Sequence, residues 1–507
     1  MNADFLTYNA LDSACTIECH DKFWGDVDSH GFMPAYQRTI DLFPPLMFMM
    51  TRGIKISLDE LELTKQQVLK SAAEKQIELN TICGRELNVN SSKDCQTYFY
   101  VELDIPPYYN EGKVTVDDLA LQRLTRGTAK RPGLRQAKLV QEIRGLQKLH
   151  GTYLNLEFDA DGRMRCSYNP RGTKFGRISS SKTILGTGTN QQNLPQEFKR
   201  FLGADANSIL WEVDKRQAEW IVVAYLCGDA NMIRVIEEGK DTHIHTASLM
   251  FNVPPEVLEL EGKMVGQNSD PDVIASIRAG SEWLDKYAGA LPRTMSGRQC
   301  GKKSNHGLNY DEGFIQFALI NEIEQREAKR IVDMYHLIYP SIRVWYESVK
   351  RQLQRDRSLT NCFGRKVRFL DAYGPDMFKS AYSMLPQSTV ADSLNEGMIK
   401  VYNDDSITST EGANADLLAQ VHDSLLLQIP IDVAMSSAFQ EIMSKVYDHL
   451  SPDITYNGRT FKIPTDSKLG LNWGGYHKEL NPLGMRDMKT VADLPRILEE
   501  LGVSRTS

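Results

Sequence analysis

Apolar residues recur at helical spacing over residues 58–82 and again over 135–156, both rich in Leu and Lys, and the pattern predicts two amphipathic helices. Between them, Pro106-Pro107 and Tyr108-Tyr109-Asn110 predict a loop. Residues 209–213 read as a strand, and Ala218, Ile221, Val222 and Tyr225 predict a helix over 217–226, so Asp214 is expected where a strand gives way to a helix. Two later apolar runs, 417–421 and 425–429, flank His422-Asp423-Ser424 and predict a β-hairpin with an acid at its tight turn. Arg298, Lys302, His306 and Tyr310 recur at every fourth position. Each such step drifts only about 40° around a helix, which predicts one face that is cationic first and aromatic last.

The chain has 507 residues, enough for roughly three domains. No repeat or low-complexity linker separates them, so they are expected to be packed together or interleaved. With 25% charged and 41% hydrophobic residues, the composition is that of a soluble globular protein and argues against disorder, a collagen-like repeat or a membrane bundle. The apolar run FPPLMFMM is too short to cross a bilayer, and the first residues lack the basic region of a targeting signal. A cytoplasmic protein with no membrane partner is expected. The eight cysteines include no CxxC pair and read as reduced thiols.

A net charge of −7 counts at face value against a nucleic-acid binder. The distribution changes that picture, because residues 163–202 carry a local balance of +7 and residues 343–368 one of +6. If both stretches face one groove, they form a phosphate-tracking surface; taken singly, either suits a solvated face. Asp214 and Asp423 have similarly plain alternatives, a helix cap and a turn residue. Together, two acids from separate strands suit a pair of Mg²⁺ ions about 4 Å apart. The Arg298 to Tyr310 face suits a triphosphate, a sugar and a base, or else a solvent-facing basic helix with a buried tyrosine. Its glycines and Asn305 are poor helix formers, and a mobile helix is expected there.

These motifs, in this order, resemble family A DNA polymerases, which include bacterial DNA polymerase I and many phage replicative enzymes. The resemblance runs from about residue 41 to about 480. Asp214 and Glu219 match the family's Asp-x4-Glu; Arg298, Lys302 and Tyr310 match its Arg-x3-Lys-x7-Tyr; His422-Asp423 matches its His-Asp. TKFGRISS (173–180), NQQNLP (190–195), GKDTHIHTA (239–247) and LPQSTVADS (385–393) resemble further family segments.

The resemblance implies an α+β right hand with palm, fingers and thumb. The divisions it suggests are an exonuclease-domain remnant and linker (1–40), a thumb (41–155), a first palm part (156–235), fingers (236–370, with an insertion near 261–289) and a second palm part (371–507). It implies template-directed addition of deoxynucleotides to a primer 3′ end in DNA replication, with two Mg²⁺ ions as cofactors. Primer-template DNA and deoxynucleoside triphosphates would be the partners. Asp214 and Asp423, with the Lys215 carbonyl, would hold the metal ions. Lys302 would contact the phosphates and protonate pyrophosphate, Arg298 and His243 would hold the β and γ phosphates, and His306 and Tyr310 would contact sugar and base. Glu219 would crowd the sugar 2′ position, and Arg177, Gln387 and His422 would hold the primer terminus.

Departures from the family pattern are informative. Ser424 stands where the family usually has Glu, removing a third acid; His306 stands where Phe or Tyr is common, which suggests intermediate acceptance of dideoxynucleotides; Ser383 and Lys379 replace the usual Asn and Arg. Tyr8 and Asp12 match the Y-x3-D of the family's 3′→5′ exonuclease, but no paired D-x-E precedes them. The expectation is a phage-type polymerase split within its proofreading domain, acting in a bacterial host's cytoplasm, with a separate exonuclease-bearing polypeptide and no proofreading of its own. A single-subunit RNA polymerase and a degenerate primer-template-binding accessory subunit are the alternatives.

Overall fold

A computed structural model describes residues 3–503, apart from 111, 128–130, 269, 322 and 409–413. At its centre lies a five-stranded antiparallel sheet in the order 416–421, 424–430, 208–215, 465–470, 486–488, so the earliest of these strands in sequence occupies the middle. The middle strand, Ser208–Lys215, alternates between two faces. Ile209, Trp211 and Val213 are fully buried on one of them, where Trp211 packs edge-on against Phe439 and its indole N–H donates to Ser467 Oγ at 2.9 Å. Leu210 sits on the other face, with Glu212 and Asp214.

Around this sheet the helices fall into distinct packing groups. Ala218–Cys227 follows the middle strand and is apolar on every side, with Val222, Val223 and Ala224 fully buried, as a helix in the interior of a large core must be. That core continues through Thr242–Phe251, Pro255–Val265 and Gln325–Ile338. A second core lies under the sheet, against Pro375–Asn403 and Ala438–Leu450. A third, around Leu79, Phe99 and Val140, holds the N-terminal helical region together.

Most of the expected elements are present, with differences at their ends. The first long helix is Leu58–Cys83. The second is Arg135–Lys148, and the chain then widens into a π-helical turn, Leu149–Leu154. Tyr108–Asn110 is not loop but a strand, paired with Lys113–Thr115 in a small hairpin. Ala3–Ser29 is one long helix that exposes Phe5, Tyr8, Leu11, Ile17 and Phe23. The following helix, Met33–Asp41, is anchored by Arg38, which is buried and donates to Glu396 Oε1 at 2.6 Å and to the Phe363 carbonyl at 2.8 Å. Among the described residues no helix is long and apolar enough to cross a membrane.

Candidate nucleotidyl-transfer site

The register of the central sheet brings the two aspartates together. Ser424 pairs opposite Asp214, and the Lys215 N–H donates to the Asp423 carbonyl at 3.1 Å. Val421 pairs with Ser424, so the turn is only His422-Asp423, and Ser424 belongs to the strand and not to the turn as its sequence context suggests. His422 takes a left-handed φ of 50°, with its side chain exposed. Gln420 Nε2 braces the turn by donating to the His422 carbonyl at 2.8 Å, and Gln192 Nε2, from the NQQNLP segment, donates to Gln420 Oε1 at 2.9 Å.

The electrostatics of this end are those of crowded anions. Desolvation pushes the Asp214 carboxyl up to about 7, with the Asp423 and Glu212 charges adding to it. Asp423 is also raised by burial, against the pull of the Arg177 guanidinium. Its Oδ1 is buried and has no hydrogen-bond partner among the described residues. No group of three or more His, Cys, Asp or Glu is placed to hold a metal ion among those residues. Two hard oxygen ligands do fit one, because a divalent cation would satisfy the orphaned oxygen and relieve the repulsion. The Lys215 side chain takes no part in such a site. It points under the sheet, where Nζ donates to Ser393 Oγ at 3.0 Å and to the Leu450 carbonyl, and burial lowers its pKa to about 7. Any ligand role for Lys215 rests on its backbone carbonyl.

The expected cationic face lies on the helix Gly297–Gly307, which is shorter than the four-residue spacing implies. Leu308–Tyr310 is a tighter 3₁₀ turn, and Asp311 ends it with a left-handed φ of 61°. Lys302 and His306 are exposed, and His306 meets the Tyr310 ring edge-on at 6.2 Å. Arg298 Nη2 donates to Asp241 Oδ2 at 2.7 Å. Asp241 also caps the helix Thr242–Phe251 by accepting from the N–H groups of His243 and Ile244, both at 2.9 Å. His243 is neutral at physiological pH: burial and the neighbouring cations Arg298 and Lys302 pull its pKa to about 4, against the opposing charge of Asp241.

The residues expected to loosen this helix instead lock it. A Cβ added to Gly301 would lie 2.2 Å from the His243 carbonyl oxygen, so glycine here allows two helices to touch. Asn305 is buried, accepts from Thr246 Oγ1 at 2.9 Å and shares a 3.0 Å contact with His243 Nδ1. The mobile helix expected from composition is therefore replaced by one pinned at two successive turns.

One side chain joins the two ends. Glu219, in the first turn of Ala218–Cys227, accepts from Arg177 Nη2 at 2.5 Å through one oxygen and from the Tyr310 hydroxyl through the other. Desolvation and the Glu219 carboxylate push the Tyr310 phenol far up, so it stays a donor. Gln387 is half-buried on Pro375–Asn403, one residue after Pro386, and its amide makes no hydrogen bond among the described residues. Ser383 and Lys379 lie on the same helix.

Several residues of this site carry no local signal in the sequence. Asp241 has one, as an acid before a helical run. Gln420, Asn305 and Glu261 have none, and Gln192 is marked only by the NQQNLP resemblance. Glu261 is fully buried, accepts from Arg278 Nη2 at 2.6 Å, and accepts through its other oxygen from the Gly297 N–H at 2.8 Å, where the cationic helix begins. The basic stretch 163–202 is also less free than its charge implies. Arg163, Arg165 and Arg200 are engaged with Asp205, Asp159 with Asp161, and Glu60. Among the described residues Arg171, Lys174 and Lys182 are exposed and make no ion pair.

The chain is similar in sequence and in fold to known DNA polymerases. Thermostable DNA polymerase I of Thermus aquaticus is 26% identical over 449 residues, covering 84% of this chain and 48% of the relative. DNA polymerase I of Treponema pallidum is 25% identical over 492 residues, covering 93% and 43%. The chain thus spans about half the length of the curated relatives it matches, or somewhat less. The polymerase domain of Pol1 from M. smegmatis, solved with DNA primer-template and dNTP, superposes with a TM-score of 0.67 at 21% identity, covering 86% of this chain and 70% of that one, and shares its right-hand fold. The model of the family described as DNA polymerase family A matches residues 58–264 and 278–474, an interruption that falls inside the expected insertion at 261–289. On that match the chain belongs to DNA polymerase family A.

Proposed function

We propose that this protein is a DNA-directed DNA polymerase that adds deoxynucleotides to a primer 3′ end on a template. The observation that carries the reading is the sheet register, which sets Ser424 opposite Asp214 and so brings Asp423, with its orphaned carboxylate oxygen, beside Asp214. Two divalent ions, Mg²⁺ by the preference of hard carboxylates, would lower the pKa of the attacking primer hydroxyl and balance charge on the leaving oxygens. Asp214 and Asp423 hold that site, with the Lys215 carbonyl as a backbone ligand. Arg298, released from Asp241, and neutral His243 bind the β and γ phosphates. The Lys302 ammonium delivers a proton to pyrophosphate oxygen as it departs, a general-acid role worth about 10² to 10⁴-fold. His306 and Tyr310 line the sugar and base position.

Glu219, fixed by Arg177 and Tyr310, forms a wall at the sugar 2′ carbon and favours deoxynucleotides, which speaks against the RNA polymerase alternative. Arg177, Gln387 and His422 border the primer terminus. The divisions into thumb (41–155), palm (156–235 and 371–507) and fingers (236–370) belong to the same reading. The exposed apolar side chains of Ala3–Ser29 support a covering body of protein there, and its proposed identity is the exonuclease that Tyr8 and Asp12 suggest.

Primer extension tests the main reading. The protein should extend a primer with dNTPs and Mg²⁺, and Asp214→Asn should abolish extension while primer-template binding persists. Equal incorporation of ribonucleotides, or DNA binding without extension by the unaltered chain, would refute it.

A further inference from the structure

We propose that Asp392 and Arg365 are positioning residues for the reaction, which together form the floor on which the turn carrying Arg177 rests. The inference rests on the reading of Arg177 and Glu219 given above and adds two residues to which that reading gives no role. Asp392 is fully buried on the helix Pro375–Asn403. Arg365 grips both of its oxygens, through Nε at 2.9 Å and Nη2 at 2.8 Å, and Asn361 Nδ2 donates to it at 2.7 Å. Such a fork fixes the plane of the guanidinium as well as its place. Arg38 Nη1 comes within 3.4 Å of the same carboxylate, but the hydrogen bonds of Arg38 go to Glu396 and to the Phe363 carbonyl.

The guanidinium so held lies against Gly176. A Cβ added there would meet Arg365 Cζ at 2.6 Å, and Gly176 takes a left-handed φ of 84°, so glycine lets the turn settle on the arginine where another residue would be lifted off it. Three successive carbonyls of the turn are then fixed by side chains: Gly176 by Asn395 Nδ2 at 3.0 Å, Arg177 by Thr173 Oγ1 at 2.9 Å and Ile178 by Gln192 Nε2 at 2.9 Å. Asn395 is buried and stands three residues after Asp392, so one face of one helix supplies both supports.

From this fixed backbone the Arg177 side chain reaches Glu219 Oε1 at 2.5 Å, where it holds the carboxylate that Tyr310 grips from the other side. A buried ion pair such as Asp392–Arg365 adds little net stability over apolar side chains of the same size. What it supplies is direction, and a displacement of about 1 Å at a reacting centre can cost about a hundredfold in rate. Asp392 and Arg365 touch neither Glu219 nor the aspartate pair, so their effect passes through Gly176 to Arg177.

The test uses the full chain and reads the ratio of deoxynucleotide to ribonucleotide incorporation in primer extension, beside the melting temperature. Arg365→Lys keeps a positive charge near Asp392 but offers neither the fork nor the flat face. It should lower the ratio by about tenfold, the low end for one charge-assisted hydrogen bond, here the one from Arg177 to Glu219. Arg177→Ala should lower the ratio at least as far, and adding Arg365→Lys to it should bring no further loss, because both act through one contact. Arg38→Met disturbs the same buried cluster and should lower the melting temperature while leaving the ratio unchanged. If Arg365→Lys does not fold, Gly176→Ala, which lifts the turn from the guanidinium, takes its place with the same expected outcomes. An unchanged ratio in the folded variant, a further loss when it is added to Arg177→Ala, or an equal loss in Arg38→Met would overturn the proposal. Glu219→Ala separates the two levels: if it too leaves the ratio intact, the reading of Glu219 as the wall at the sugar fails and the proposal falls with it.

Discussion

The aspartate end of the central sheet and the cationic face of the 297–307 helix are joined through Glu219 and Tyr310, but they are built by different means. Strand register sets the first: Asp214 and Asp423 are neighbours because backbone hydrogen bonds leave them no other place. Buried side chains set the second, through Asn305 with Thr246 and His243, and Glu261 at the helix start. Their electrostatics are mirror images. Desolvation and like charge push Asp214 up to about 7 at one end, and desolvation with neighbouring cations pulls His243 down to about 4 at the other. On the proposed function, each end suits an opposite charge, a cation at the sheet and a polyphosphate at the helix once Arg298 leaves Asp241.

The contrast is sharpest for the charges themselves. Asp423→Asn should reduce extension by about three orders of magnitude, the upper scale for loss of a preorganised electrostatic group. Without divalent ions it should also raise the melting temperature, because it removes repulsion at Asp214. A fall in both would mean that the aspartates are held by contacts and not merely by register. On the helix side, Gly301→Ala puts a Cβ 2.2 Å from the His243 carbonyl and should cost about 1–3 kcal/mol of stability by denaturant unfolding, as overpacking does. A neutral result would return to the mobile helix expected from composition.

Milder changes refine the picture. The Asp214 pKa of about 7 lies above its ordinary value of 3.8, so the stability it lends is full below that value and is lost as pH rises through about 7. Mg²⁺ should therefore raise the melting temperature more at pH 8 than at pH 6, a difference that Asp214→Asn should remove. Tyr310→Phe deletes one donor to the Glu219 carboxylate and should lower discrimination against ribonucleotides by about tenfold, within the range of one charge-assisted hydrogen bond. The smallest effect is expected at exposed His306, where the dideoxy-to-deoxy incorporation ratio should fall between those of His306→Phe and His306→Tyr.

The same division decides what the sequence could reveal. Asp214 and Asp423 were legible because each sits at an abrupt change of hydrophobic period, strand to helix or strand to turn, whereas Glu219, inside the helix, was visible only through the match to Asp-x4-Glu. The 3.6-residue period also found the Arg298–Lys302–His306 face, but it ran one turn too far. The chain tightens after Gly307, and Tyr310 reaches Glu219 from a 3₁₀ turn. Asn305 and Gly301 misled for a physical reason: their poor helix propensity is local, whereas the hydrogen bonds and close approach that hold them come from a helix some sixty residues earlier in the chain. The partners of Arg163, Arg165 and Arg200 were hidden likewise, and charge counting alone overstated the free cations along 163–202.

The buried Glu261–Arg278 pair has a consequence for engineering. These two residues stand at the borders of the stretch 265–277, across which the family pattern is interrupted. Arg278 also donates to the Pro292 and Met295 carbonyls at 2.9 and 3.1 Å, so both borders are tied to the start of the cationic helix. The stretch between them is a socket with a fixed rim. A reporter or a foreign binding domain could be spliced there, replacing the native residues, while the clasp at the rim keeps the helix beyond it in place.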